Sequence, residues 1–184
     1  MIDNLKLIAI VGMPGAGKSV AADYFRSKGV TILRFGDQTD IGLKEAGLER
    51  NEKNERWYRE KLRKELGMAA MAVKIEPRIR KTAKTHALII LDGLYSWEEY
   101  TFLIKKFPQL SLLCIYAPAR IRYERLSHRS VRPLTLETAK GRDIAELEQL
   151  NKGGPIALAD YLIKNEGTQD DLWKDLEVFY SGII

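Results

Sequence analysis

The 184-residue sequence predicts a layered α/β domain with right-handed crossovers. Five short apolar runs rich in β-branched residues show no polar alternation. Stretches of helical patterning separate them. A glycine-rich turn joins the first run to the first helical stretch. Unalternated apolar runs suit strands buried on both faces of a parallel sheet, and parallel strands need crossover helices between them.

The strands are predicted at 5–11, 30–35, 87–91, 110–116 and 161–163, and each run is bounded by turn chemistry or by a helical pattern. Helices are predicted at 18–28, 37–46, 52–66, 68–82, 97–107, 118–127 and 135–151, with a last one from Thr168. Pro77 is expected to kink or divide the helix that carries it, because its ring removes an N–H and crowds the preceding turn. The stretches 127–135 (SHRSVRPLT) and 151–155 (NKGGP) read as joints, and the Arg-bearing helix between them reads as a lid. Cys114, the lone cysteine, lies in the run LSLLCIYA and reads as core.

Composition narrows the function classes. Apolar residues make up 45% and charged residues 30%, which excludes a disordered chain, and no run approaches the roughly 18 apolar residues of a membrane span. No basic, apolar and small-residue leader pattern opens the sequence, so a cytoplasmic protein is expected. The net charge of +5 would suit an anionic partner. Along residues 49–67, however, Lys and Arg alternate with Glu as on a solvated helix face, and no nucleic-acid motif accompanies them.

The chemistry begins at GMPGAGKS, where Gly12, Gly17, Lys18 and Ser19 fit the Walker A spacing G-x-x-x-x-G-K-[ST]. Glycines let the backbone curl so that N–H groups point inward, and the following helix adds its positive end. Lys18 is then expected to reach the β- and γ-phosphates and Ser19 to ligate Mg²⁺. The segment Gly12, Met13, Pro14, Gly15, Ala16, Gly17, Lys18, Ser19 and Val20 is the expected phosphate-binding loop. Asp92, closing the apolar run ALIILDG, is the second candidate for the metal, directly or through water.

With this loop come, in order along the chain, Gly36-Asp37, LRKELG, Asp92-Gly93, RYERLSHR, GRDIAEL and IALADYLIKNEG. The sequence resembles the nucleoside monophosphate kinase group of P-loop kinases. Within that group it most resembles the archaeal adenylate-kinase-like proteins described as similar to dephospho-CoA kinase. The resemblance implies a three-layer P-loop NTPase fold, with a five-stranded parallel sheet of order 2-3-1-4-5 and helices on both faces. It also implies one domain over 1–184, with an acceptor-binding helical region at about 37–84 and a lid at about 127–155. ATP with Mg²⁺ would be the donor. Arg125 would lie against the adenine, Asn165 to Gly167 beside the base, and Arg129 on the transferring phosphates, with Arg132 and Arg142 as further lid candidates. Guanidinium forks suit phosphate oxygens, and Arg125 and Arg129 share a helix face.

The acceptor side departs from those relatives. They tend to carry an arginine soon after each of the two dipeptides, where this sequence has Asp40 and Tyr95. Asp40 would repel a phosphate. Asp37 could instead take the proton of an acceptor hydroxyl, as in kinases of alcohols, or merely cap a helix. Arg34, Arg59, Arg63, Arg78 and Arg80 remain available for an anion, and Trp57, Tyr58, Tyr95 and Trp97 offer aromatic surface. The reading is a Mg²⁺- and ATP-dependent kinase of a small nucleotide-like acceptor such as dephospho-CoA, acting as a monomer or homodimer without nucleic-acid or membrane partners. Its alternatives are a nucleoside monophosphate kinase, an NTPase switch and a binding module without turnover.

Overall fold

The computed structural model describes residues 5–130 and 132–184. Five strands, β1 (Lys6–Val11), β2 (Thr31–Arg34), β3 (Leu88–Asp92), β4 (Leu110–Tyr116) and β5 (Tyr161–Lys164), form one parallel sheet in the order β2-β3-β1-β4-β5. The helices are α1 (Lys18–Ser27), α2 (Asp37–Glu45), α3 (Glu52–Leu66), α4 (Ala70–Thr82), α5 (Trp97–Lys106), α6 (Ala119–His128), α7 (Leu136–Glu148), α8 (Gly153–Ala157) and α9 (Gln169–Ile183).

The central strand shows why the apolar runs lack alternation. Leu7, Ala9 and Val11 of β1 pack with Ile75 and Ile79 of α4 and Leu103 of α5 on one face. Ile8 and Ile10 pack with Ala21 and Phe25 of α1 and Leu172 and Leu176 of α9 on the other. From Leu7 to Val11 both faces of the strand are dry, so each of those positions is apolar, and only Lys6 at the exposed start is charged. Each Val, Leu, Ile or Phe side chain so buried contributes roughly 1.5–3 kcal/mol. Cys114 lies in β4, 1% exposed, with no disulfide partner in the chain.

Two local expectations are corrected. Pro77 does not divide its helix, because Ile75 and Ile79 on either side are fully buried and their packing holds α4 together across it. The turn chemistry of NKGGP conceals the short helix α8. Gly154 makes it possible, since a Cβ there would come within 2.5 Å of the Trp97 ring.

Strand register positions the site. Asp92 pairs with Ile10 of β1 and with Arg34 of β2, and Val11 pairs with Cys114. The carboxyl ends of β1, β2 and β3 therefore finish side by side, where open α/β sheets bind their ligands. Among the described residues, no helix is long and apolar enough to cross a membrane.

Candidate active site

The loop between β1 and α1 is shaped by its glycines. Gly12 has φ +141° and faces the Ile115 carbonyl, which a Cβ would meet at 2.3 Å. Gly17 has φ +103°, and a Cβ there would lie 2.2 Å from Asn165 Nδ2. Neither position admits a side chain. Gly17 is also the N-cap of α1, and no side chain caps that helix and no acidic residue stands in its first turn. Its first N–H groups are thus left for an anion. Lys18 Nζ donates to the Met13 carbonyl at 3.0 Å, folding back over the loop. Burial pushes the Lys18 ammonium down to about 7, with the Lys152 ammonium the next cause, opposed by Glu146 and Asp92. The Ser19 hydroxyl is exposed at the start of α1, and Val20 packs inward against the α1–α9 layer.

Asn165 stitches this loop to the end of β5. Its Nδ2 donates to the Ala16 carbonyl at 2.8 Å, and its backbone N–H to the Tyr116 carbonyl at 2.7 Å. Arg125 of α6 donates to the Asn165 carbonyl at 2.9 Å, to Asn165 Oδ1 at 3.2 Å and to the Gly167 carbonyl at 3.0 Å. Arg125, Asn165 and Gly167 are therefore one hydrogen-bonded unit. Arg129, the C-cap of α6, turns its guanidinium onto the carbonyl of Arg132.

Asp92 stands at the carboxyl end of β3. Burial raises its carboxyl above the ordinary value, against the pull of the Arg34 and Lys18 charges. Arg34 lies between the two carboxylates of interest, 3.5 Å from Asp92 and 3.9 Å from Asp37. Asp37 also meets Arg78 at 3.4 Å. Among the described residues, no group of three or more His, Cys, Asp or Glu side chains is arranged to hold a metal. Ser19 and Asp92 are hard oxygen donors of the kind Mg²⁺ takes, one or two at a time, beside nucleotide phosphates.

Beside these strand ends lies a cavity of about 370 Å³. Six arginines line it: Arg34, Arg50, Arg59, Arg63, Arg132 and Arg142. They face four acids, Asp40, Glu55, Glu99 and Glu146, leaving a formal surplus of two positive charges. Arg50 pairs with Asp40 at 3.2 Å and Glu55 at 3.0 Å, Arg59 with Glu55 at 3.6 Å and Arg142 with Glu146 at 2.9 Å. Arg63 and Arg132 form no ion pair among the described residues.

Of the acceptor-side candidates, Asp40, Arg63 and Tyr95 line this cavity, whereas Asp37, against expectation, does not. Arg132 and Arg142, the further lid candidates, line it as well. Arg80 lies elsewhere, paired with Glu76 and stacked 5.1 Å from the Phe107 ring. Of the four aromatics only Tyr95 lines the cavity. Tyr58 is buried against Gly42, Trp97 packs on Gly154, and Trp57 is exposed beside Lys61.

Three residues escaped the sequence reading. Arg122, buried on α6, grips Asp143 of α7 and the Pro14 carbonyl; nothing in RYERL sets it apart from its neighbours. Glu99 lies 4% exposed behind Tyr95. Its Oε2 accepts from the Tyr95 N–H at 2.8 Å and the Ser96 N–H at 3.2 Å. Burial lifts its carboxyl to about 7, against those two hydrogen bonds and Arg63. Ser96-x-x-Glu99 is a capping box and could have been found. Lys152, 2% exposed, pairs with Glu146 and sits 4.7 Å over the Tyr95 ring.

A Walker A loop at the carboxyl edge of a parallel sheet of order β2-β3-β1-β4-β5 defines a P-loop protein of the kinase-like group. The chain belongs to the AAA domain family, whose model matches residues 8–149, and to the UPF0200 proteins, of which one from Pyrococcus abyssi is 32% identical over 182 residues, 97% of each chain. Among solved structures it is similar to a shikimate kinase from Acinetobacter baumannii in complex with shikimate, with a TM-score of 0.56 and 18% identity over 97% of this chain and 94% of that one. A gluconokinase from Sinorhizobium meliloti is similar at a TM-score of 0.53 and 15% identity, over 95% of each chain. At such identity these likenesses establish the fold alone.

Proposed function

We propose that the protein is a Mg²⁺- and ATP-dependent kinase that phosphorylates a hydroxyl of a small, anionic, nucleotide-like acceptor of the dephospho-CoA kind. The observation that carries this reading is the six-arginine cavity beside the strand ends that flank Lys18 and Asp92. A nucleotide switch needs no second anion site next to its phosphate loop, whereas a kinase must hold a second substrate there.

In this reading the segment from Gly12 to Val20 holds the donor phosphates, and Ser19 and Asp92 hold Mg²⁺, which neutralises phosphate charge. Arg125, with Asn165 and Gly167, flanks the base. Arg63 and Arg132, free of ion-pair partners among the described residues, grip the anionic group of the acceptor. The acceptor oxygen bonds to the γ-phosphorus while the bond from phosphorus to the β–γ bridging oxygen breaks, and ADP leaves. The hydroxyl proton passes to Asp37, which stands outside the cavity lining but pairs with Arg34 of that lining and with Arg78, so that the acceptor hydroxyl would project from the cavity past Arg34 toward it. Positioning and charge neutralisation supply most of the acceleration in such transfers.

The same two arginines also favour a second reading, a nucleoside monophosphate acceptor gripped from unaccustomed positions. Mg²⁺-ATP consumption against nucleoside and deoxynucleoside monophosphates, dephospho-CoA and free nucleosides separates the two, with Lys18→Ala as the blank. Stimulation by dephospho-CoA is expected. Stimulation by a monophosphate alone moves the assignment to the second reading, and hydrolysis indifferent to every acceptor overturns both.

A further inference from the structure

Lys152 is the N-cap of α8 and is almost fully enclosed, yet its side chain ends in a charge. A buried ammonium is costly unless compensated. Its compensation is incomplete. Glu146 accepts Lys152 Nζ on one carboxylate oxygen and Arg142 Nε on the other, so one negative charge serves two cations. Lys152 is also the foremost charge acting on Lys18, ahead of Glu146, Asp92 and Arg142. Around this point stand four cations, Lys18, Lys152, Arg142 and Arg34, with the carboxylates Glu146 and Asp92; Asp143, which also acts on Lys152, is taken up by Arg122, and Asp37 shares Arg34 with Asp92.

Position gives that surplus its meaning. Lys18 belongs to the donor loop, while Glu146, Arg142 and Tyr95 line the arginine cavity. Lys152 reaches both, lying over the Tyr95 ring and against Lys18's field. It therefore sits between donor and acceptor sites. The backbone that carries it is pinned to α5. Asn151 Nδ2 donates to Glu98 Oε1 at 2.9 Å, and Gly154 packs under Trp97. Only the lysine side chain has to move to exchange one anion for another. Arg129, the lid cation expected from sequence, is instead turned onto the Arg132 carbonyl.

We propose that Lys152 contacts the transferred phosphoryl group, and that Glu146 holds it in place until the γ-phosphate of the nucleotide takes over; this rests on the kinase reading above. Lys152 is then a catalytic residue, Glu146 a positioning residue that competes with the nucleotide, and Arg142 the cation that remains on Glu146 after the exchange.

The test is calorimetric binding of Mg²⁺-ADP and of the non-hydrolysable β,γ-imido analogue of ATP, without any acceptor. Wild type, Lys152→Met, Lys152→Arg and Glu146→Gln are compared, with circular dichroism melts to verify folding. Lys152→Met is expected to weaken the imido analogue about tenfold, the scale of one charge-assisted contact, and ADP less than about twofold. Lys152→Arg is expected to keep the preference for the triphosphate. Glu146→Gln is expected to tighten the imido analogue several-fold, because the lysine loses its competing anion. Equal losses for both nucleotides in Lys152→Met, or weaker triphosphate binding in Glu146→Gln, would make the pair purely structural and overturn the proposal. If Lys152→Met does not fold, the sign of the Glu146→Gln effect decides. A wild type that binds neither nucleotide overturns the kinase reading itself, and this proposal with it.

Discussion

Arg122 and Asp143, both buried, face each other across α6 and α7 with guanidinium–carboxylate distances of 2.9 and 2.6 Å. The same guanidinium donates to the Pro14 carbonyl at 3.0 Å and the Ala117 carbonyl at 3.1 Å. One arginine thus ties α7 to the loop between β1 and α1. Arg122→Ala is expected to cost about 3–5 kcal/mol, because it strands the Asp143 carboxylate in a dry site. Urea unfolding measures the loss. A variant that unfolds within about 1 kcal/mol of wild type would show the pair to be well solvated.

Gly17 and Gly29 both have positive φ, yet they should respond differently to alanine. Around Gly29 nothing lies within 4 Å, so Gly29→Ala meets only backbone strain of about 1–2 kcal/mol. At Gly17 the new methyl would displace Asn165 Nδ2 from the Ala16 carbonyl. Gly17→Ala is expected to weaken Mg²⁺-ADP more than about tenfold and Gly29→Ala to leave it unchanged, in parallel titrations.

Proton exchange reports on Lys18. Its ammonium is pushed down to about 7 without nucleotide, so at pH 8 most molecules carry the neutral amine. Phosphate restores the charged form by supplying an opposite charge. Nucleotide binding at pH 8 is therefore expected to take up a proton, an uptake that shrinks as pH falls below 7. Calorimetry in two buffers of different ionisation enthalpy measures it, and Lys18→Arg, permanently charged, should abolish it.

Glu99 sets a pH dependence of stability. Its carboxyl is raised from 4.5 to about 7, so between those values the folded state holds more protons than the unfolded one. Its contribution is present at low pH and is lost as pH rises through about 7. Glu99→Gln keeps an oxygen for the Tyr95 and Ser96 N–H groups and removes the titration. The melting temperature of the variant is expected to gain on wild type from pH 5 to about pH 7 and to hold that gain above it.

Much of the fold was legible because local signals and topology agree. The run LKLIAIV is apolar on both faces because β1 is central, and the Walker A spacing states its own geometry. Strand ends moved by only a residue or so, as in 30–35 against Thr31–Arg34. The helix α8 was hidden because two glycines and a proline spell a turn, and the helix depends on a distant tryptophan. The site was legible in part. The phosphate loop announced itself, whereas the arginine cavity is assembled from α3, α7, the loops that precede them and the end of β2, which no single stretch of sequence brings together. Lys152 lies in the same NKGGP stretch, and only its partners on α7 and its place over Tyr95 distinguish it.

Transfer of label from [γ-³²P]ATP tests phosphoryl transfer most directly. Incubated with the acceptor panel, wild type is expected to place the label on one anionic hydroxyl compound. Lys18→Ala should abolish this, and Arg63→Ala should raise the KM for the acceptor about tenfold, the scale of one lost guanidinium contact, with that for ATP unchanged. Label appearing only in inorganic phosphate, at a rate no acceptor alters, would contradict a kinase and leave the protein a hydrolase of its own nucleotide.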